Sequence, residues 1–314
     1  MKVLVTCPPM LGMIDSFRNI FEKNGIELST PNVVQTLSIE ELMEIVPMHD
    51  GWIIGDDPAT REVFAAGKSG HLKAAVKWGI GVDNVDFTAC KDLEIPITNT
   101  PNMFGAEVSD IAVGYVIALA RQTFEIDRAV RAGEWPKPRG ISLSNKVVAL
   151  IGYGDIGKNT AKRLLASDMK VIAYDPATPE SHSSSSIDFE KWPKRLNEAD
   201  YIVVTCALTP SSQHMINSES IAMTKKGVRI VNVGRGPIIE ENALIEALES
   251  GQVYSAALDV FEIEPLPMNS PLRKHPKCIF GSHNASNTVD AVQHTSEIAI
   301  DKLFAFLGIT EIIK

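Results

Sequence analysis

Short β-branched runs alternate with amphipathic, helix-like stretches along nearly the whole chain. In the first hundred residues KVLVT (2–6), GWIIG (51–55), LKAAVK (72–77) and IPIT (95–98) have the length and composition of strands. SIEELMEIV (38–46) and ATREVFAAG (59–67) lie between them and read as helices. A second series starts after Asn145, with KVVALIG (146–152), KVIAYD (170–175), YIVVTC (201–206), VRIVNVG (228–234), YSAALDV (254–260) and CIFG (278–281). Alternation of this kind predicts the α/β class with parallel sheets. Six strands with helices between them make a complete doubly wound dinucleotide-binding unit, a Rossmann domain. The earlier four suit a smaller flavodoxin-like domain. VDAVQHTSEIAIDKLFAFLG (289–308) is one long helix with no strand after it, placed to pack back on that first domain. The expected organisation is therefore a substrate domain of residues 1–98 plus 289–314, into which an NAD-type domain of residues 99–288 is inserted.

The stretch 102–135 is largely helical and apolar through its first half, and is expected to be buried at the junction. WPKPRGISLSNK (135–146) reads as a loop, as does the polar run SHSSSS (181–186). The chain's 314 residues allow two domains with a core each. A net charge of −9 disfavours nucleic acid and anionic membranes, which call for a basic face. No apolar run approaches the roughly 20 residues that span a bilayer. Four widely spaced cysteines, without a C-x-x-C pair, fit a reduced cytoplasmic protein and leave no metal site to expect.

Chemistry enters at GYGDIG (152–157), which follows a strand and opens the helix KNTAKRLLAS. Gly152 permits the tight turn, Gly154 lets backbone amides approach a pyrophosphate, and Gly157 lets helix and strand pack closely. Asp175 ends the next strand, where a carboxylate accepts from an adenosine ribose and repels a 2′-phosphate, so NAD is expected over NADP. Three further candidates follow strands of the same series: Arg235 between two glycines, Glu264 before Pro265, and His283 in GSHNASNT. Ligand sites of open parallel sheets lie beyond the strands' carboxyl ends, so the three are placed to meet. Hydride exchange with a hydroxy acid requires such a set: a cation for the carboxylate, a base for the hydroxyl proton, and a group that orients the base.

WGIGVDNVD (78–86), NTPN (99–102), the glycine loop, LTP (208–210), NVGRGPIIEENAL (232–244), ALDVFEIEP (257–265) and SHNASNT (282–288) occur in that order. Together they resemble the D-isomer-specific 2-hydroxy-acid dehydrogenases, most of all the short D-3-phosphoglycerate dehydrogenase-like members without a regulatory domain. The resemblance implies an NAD-dependent oxidoreductase in which Arg235 grips substrate, His283 is the acid/base, and Glu264 hydrogen-bonds that histidine and raises its pKa. It implies that Asp259 holds the nicotinamide carboxamide. Asp155, Ile156, Cys206, Pro210, Val233, Gly234 and His283 would border the cofactor. Backbone amides around Gly79 and Ile80 would bind the substrate carboxylate, and residues 102–140 would form a homodimer interface.

The substrate implied is 3-phosphoglycerate or a related small acid, with glyoxylate or hydroxypyruvate as the alternative; an NADH-sensing corepressor is a rival of another class. One departure bears on the choice. Where phosphoglycerate enzymes commonly carry a phosphate-binding arginine, this chain has IIGDDPAT (53–60), whose Asp56 and Asp57 would repel a phosphate. Lys77 is the cation left at the mouth of the expected site. Ser282 and Asn284 replace the proline and apolar residue that usually flank the histidine.

Overall fold

The computed structural model describes every residue except Ser185, Glu311, Ile313 and Lys314. Ser185 belongs to the polar run expected to be a loop, and the other three to the end of the expected substrate domain; all four lie outside the described residues. The chain divides into two compact units, residues 1–103 with 287–314, and residues 104–286.

In the first unit the strands are β1 (Lys2–Val5), β2 (Glu27–Ser29), β3 (Gly51–Ile54), β4 (Ala74–Lys77) and β5 (Ile97–Asn99). They form one sheet in the order β2-β1-β3-β4-β5, parallel throughout. The helices are α1 (Pro8–Gly12), α2 (Asp15–Lys23), α3 (Ile39–Ile45), α4 (Arg61–Ser69) and α5 (Phe87–Asp92). Every residue of β3 and β4 is buried, the expected state of a parallel strand with both faces covered. Trp52 and Phe64 meet on one face, ring centroids 5.9 Å apart. The C-terminal helix packs on β3 and β4 of this unit and sets Phe304 edge-on against Phe21 at 5.5 Å. Trp78 Nε1 also donates to Ser296 on that helix, at 3.1 Å.

The second unit opens with two helices, α6 (Gly105–Arg121) and α7 (Thr123–Arg131), in the stretch 102–135 that the sequence marks as largely helical. Gln122 separates them in the left-handed conformation, φ 55°. The buried face of α6 packs on a later helix, α8 (Asp155–Leu165), and none of α7 is buried. The strands are β6 (Val147–Ile151), β7 (Lys170–Tyr174), β8 (Ile187–Phe189), β9 (Tyr201–Val204), β10 (Val228–Asn232), β11 (Val253–Leu258) and β12 (Cys278–Phe280). Two further helices, α9 (Ser218–Ala222) and α10 (Glu241–Ser250), precede β10 and β11, and α11 (Val289–Phe306) is the C-terminal helix that returns to the first unit. The seven strands lie in the order β12-β11-β10-β9-β6-β7-β8, all parallel. Strand order reverses at β6, between β9 and β7, so the loop leaving β6 stands at the switch point where such sheets bind ligands.

The α/β class and the two parallel sheets are as the sequence predicts. Two strands are additional, β2 and β8, both of three residues and both at a sheet edge. No helix among the described residues is long and apolar enough to cross a membrane.

Candidate active site

The glycine loop leaves β6 and turns directly into α8. Gly152 has φ +94°, which L side chains rarely adopt, and a Cβ there would lie 2.7 Å from the Cys206 backbone. A Cβ on Gly157 would lie 2.1 Å from the Gly152 carbonyl oxygen, so the helix approaches the strand as closely as glycine alone allows. At Gly154 the reverse holds: nothing lies within 4 Å of the added carbon. The first and third glycines are thus required by protein packing, and the second faces open space at the start of an eleven-residue helix. This is the arrangement a pyrophosphate needs, with room for its oxygens and a positive helix end beside them. Asp175 follows β7 and turns back on the loop, Oδ2 accepting from Tyr153 N at 2.6 Å and Oδ1 from Ala177 N at 2.8 Å. A carboxylate oxygen has two lone pairs, so both keep capacity for a ribose hydroxyl. The Asp155 side chain turns toward Gly105 and Asn159. Cys206 and Pro210 lie on the loop after β9, and burial pushes the Cys206 thiol up to about 11. The loop's residues fit a dinucleotide.

The remaining residues leave the next strands in turn. After β10, Gly234 N donates to Asn232 Oδ1 at 3.0 Å, and Asn232 Nδ2 donates to Arg235 O at 2.9 Å. That side chain pins the Val233–Arg235 turn from below. Arg235 Nη1 donates to Gly234 O at 3.0 Å. After β11, Asp259 is buried, and its carboxylate accepts from Asn284 N at 3.3 Å and Ala285 N at 2.9 Å. Burial raises the Asp259 pKa, and those two amides partly oppose it. Tyr115, reaching from α6, has its phenol pushed up to about 12 by burial and by Asp259.

After β12 comes His283, with φ 56°. Its backbone N–H donates to Asp259 O at 2.7 Å, and its Nδ1 lies 2.7 Å from Glu264 Oε2. The other carboxylate oxygen, Oε1, accepts from Phe261 N at 2.9 Å, so both oxygens of Glu264 are held. An ionised carboxylate only accepts, hence Nδ1 carries the proton and Nε2 is the ring atom that can exchange one. Arg235, Glu264 and His283 thus leave neighbouring strands of one sheet at the same end, and two of them are in contact.

Residues 113–285 match the family model of the D-isomer specific 2-hydroxyacid dehydrogenase, NAD binding domain. A hydroxypyruvate reductase of Thermotoga maritima is 38% identical over 92% of this chain and 94% of its own length. The chain belongs to the D-isomer specific 2-hydroxyacid dehydrogenases. A D-3-phosphoglycerate dehydrogenase of Methanocaldococcus jannaschii is 34% identical over 96% of this chain, which spans 56% of that protein. The crystal structure of the TT0316 protein from Thermus thermophilus matches with a TM-score of 0.86 at 30% identity, over 99% of this chain and 98% of that one. This dehydrogenase is accordingly an NAD-dependent enzyme acting on D-2-hydroxy acids; its glycine loop and Asp175 predict the cofactor.

In the first unit the turn after β4 corrects the sequence reading. Gly79 N, expected to bind a carboxylate, donates instead to Thr100 Oγ1 at 2.7 Å. Among the described residues no acceptor meets the amides of Ile80 and Gly81, so the open donors sit one residue further on. Lys77, expected as a cation at the mouth of the site, has a side chain only 3% exposed, with Nζ 3.0 Å from Asp56 Oδ1 and 2.9 Å from Trp78 O. Nor is Asp57 available to a ligand. It is fully buried and accepts from Thr6 Oγ1, Leu37 N and Gly55 N. Nothing in the sequence marked Thr100 as the residue that occupies Gly79, since the two are 21 positions apart.

Proposed function

We propose that this dehydrogenase reduces an unphosphorylated 2-oxo acid of the hydroxypyruvate and glyoxylate type. NADH, when bound, supplies the hydride that goes to C2. His283 Nε2 gives its proton to the carbonyl oxygen as that oxygen becomes a hydroxyl, and takes it back in the reverse direction. Glu264 holds Nδ1–H, which fixes the tautomer and steadies the imidazolium that forms on reprotonation. Arg235 is the cation that receives the substrate carboxylate and polarises the carbonyl. Asp259 accepts from the carboxamide of the nicotinamide. The amides of Ile80 and Gly81 are a second cradle for an anionic oxygen.

One observation carries the choice of an unphosphorylated acid: Lys77, beside that cradle in sequence, is already neutralised by Asp56. A phosphate dianion needs uncompensated positive charge, and at about 4 Å a carboxylate opposes each of its charges by about 4 kcal/mol at an effective dielectric of 20. A paired lysine and aspartate instead offer a donor and an acceptor, which suits a neutral hydroxyl. The relative at 38% identity, matched over 94% of its length, carries the name hydroxypyruvate reductase, which supports the same reading. The test is a panel of hydroxypyruvate, glyoxylate, pyruvate and 3-phosphohydroxypyruvate with NADH and NADPH, followed by loss of nicotinamide absorbance. The first two should lead in kcat/KM with NADH; preference for the phosphorylated acid would reverse the assignment.

The same reading extends to assembly. Ile111, Ile117, Phe124, Val130 and Trp135 are all exposed on α6, α7 and the loop beyond, within the 102–140 stretch where a homodimer interface is expected.

A further inference from the structure

Two residues before Glu264, the Glu262 carboxylate has partners of its own. Phe261 N–H holds Glu264 Oε1 at 2.9 Å, so Glu264 is tied to the place of Phe261, which the following Phe261–Glu262 peptide carries. That peptide lies hard against Gly236. A Cβ on Gly236 would fall 1.9 Å from Phe261 C and O and 2.5 Å from Glu262 N. Arg235 immediately precedes this glycine, so the substrate-gripping arginine and the orienting glutamate share one point of reference. Glu262 anchors it. Its Oε1 accepts from Glu241 N, the first amide of α10, at 3.3 Å, and lies 2.9 Å from His214 Nε2. His214 is itself fixed, its N–H donating to Pro237 O at 2.8 Å. The loops after β9, β10 and β11 therefore converge on a single carboxylate. Burial and the nearby Glu262 raise the pKa of Glu241, which accepts from Ser270 Oγ, so the helix end is lined by acceptors and donors already matched.

We propose that Glu262, with His214, is a positioning residue for the proton-transfer pair: it locks the Phe261–Glu262 peptide against Gly236, which fixes Phe261, and the Phe261 N–H in turn sets the Glu264 carboxylate on His283. This rests on the assignment of His283 and Glu264 as acid/base and orienter. A residue that merely added stability would lower the melting temperature and leave the chemistry of the folded enzyme alone. Glu262 instead acts on kcat and on the pH–rate profile. In Glu262→Ala the peptide loses its tie to α10 and the carboxylate of Glu264 drifts from Nδ1, so kcat falls about tenfold or more. KM for NADH stays within about twofold, because the glycine loop and Asp175 take no part in this network.

The experiment measures kcat, both KM values and the pH–rate profile of Glu262→Ala, Glu262→Gln and His214→Ala beside Glu264→Gln as reference. Glu262→Gln keeps an oxygen that accepts from Glu241 N–H and should restore most of kcat. His214→Ala leaves that bond and should fall between the two, with its profile displaced in the same direction as that of Glu264→Gln. Wild-type kcat and an unshifted profile in Glu262→Ala, or in His214→Ala should the former not fold, overturn the proposal; so does a Glu262→Gln variant as impaired as the alanine. If Glu264→Gln itself leaves the profile unchanged, the acid/base assignment fails first and the proposal with it. If it displaces the profile and neither Glu262→Ala nor His214→Ala does, the positioning role alone is lost.

Discussion

Gly281→Ala is a sharp perturbation of Asp259, the residue proposed to hold the nicotinamide carboxamide. The added carbon would lie 1.9 Å from Asp259 Oδ1, 3.0 Å from Asp259 Cγ and 2.7 Å from the Tyr115 hydroxyl. Carbon and oxygen approach to about 3.3 Å, so Asp259 or the β12 exit must move by more than about 1 Å. The carboxylate has no easy retreat, because two backbone amides, Asn284 N and Ala285 N, hold it in a buried place. Hydrogen bonds to a charged group are worth about 1.5–3 kcal/mol each, and straining the pair costs a few kcal/mol of stability. If Asp259 orients the nicotinamide as proposed, its displacement by about 1 Å costs about a hundredfold in kcat. The adenosine half should be indifferent. β11 and β6 are separated by β10 and β9, so at about 4.8 Å per step the glycine loop is about 14 Å away. The assay pairs steady-state kcat with calorimetric affinities for NADH and for ADP-ribose. A kcat within about threefold of wild type, or an ADP-ribose affinity that falls with kcat, would refute the role given to Asp259.

Asp56→Asn removes the ion-pair partner of the buried Lys77; turnover of 3-phosphohydroxypyruvate relative to hydroxypyruvate should rise by about tenfold, measured as the ratio of kcat/KM values. An unchanged ratio would show that this pair does not read the substrate. At Asp57, burial raises the folded-state pKa above its ordinary 3.8, against the pull of its hydrogen bonds. A raised carboxyl contributes stability that is complete below the ordinary pKa and is lost as pH rises through the elevated value. Urea midpoints taken upward from pH 4 should therefore show a loss in the wild type that Asp57→Asn lacks; parallel pH dependences would contradict the sign.

Much of this molecule is legible in its sequence because parallel strands covered on both sides must be apolar throughout, as YIVV and VVALI are. β2 and β8 escaped because ELS and IDF are three-residue edge strands, half wet and without a run to notice. The break at Gln122 escaped for another reason. Glutamine is not a residue that announces a left-handed turn, and neither glycine nor proline stands there. The glycine loop, Asp175 and the strand-end candidates were visible because a switch-point site draws its groups from strand termini in a known order. What lay hidden were pairings across sequence: Thr100 on Gly79, Asp56 on Lys77, His214 on Glu262. Each joins residues that only the folded sheet brings together, and each changes which donor or charge is left for a ligand.

His283 occupies a backbone conformation, φ 56°, that L residues other than asparagine, aspartate and histidine seldom enter. The left-handed region costs such a residue about 1–2 kcal/mol, and glycine would escape most of it. Folding and catalysis therefore pull this position in opposite directions. A lineage selected for heat resistance alone would be drawn toward glycine here and would arrive at a sturdier protein with no proton to give. Histidine is among the few L residues that tolerate this turn, and of those few it alone brings the ring nitrogen that the proposed proton transfer needs.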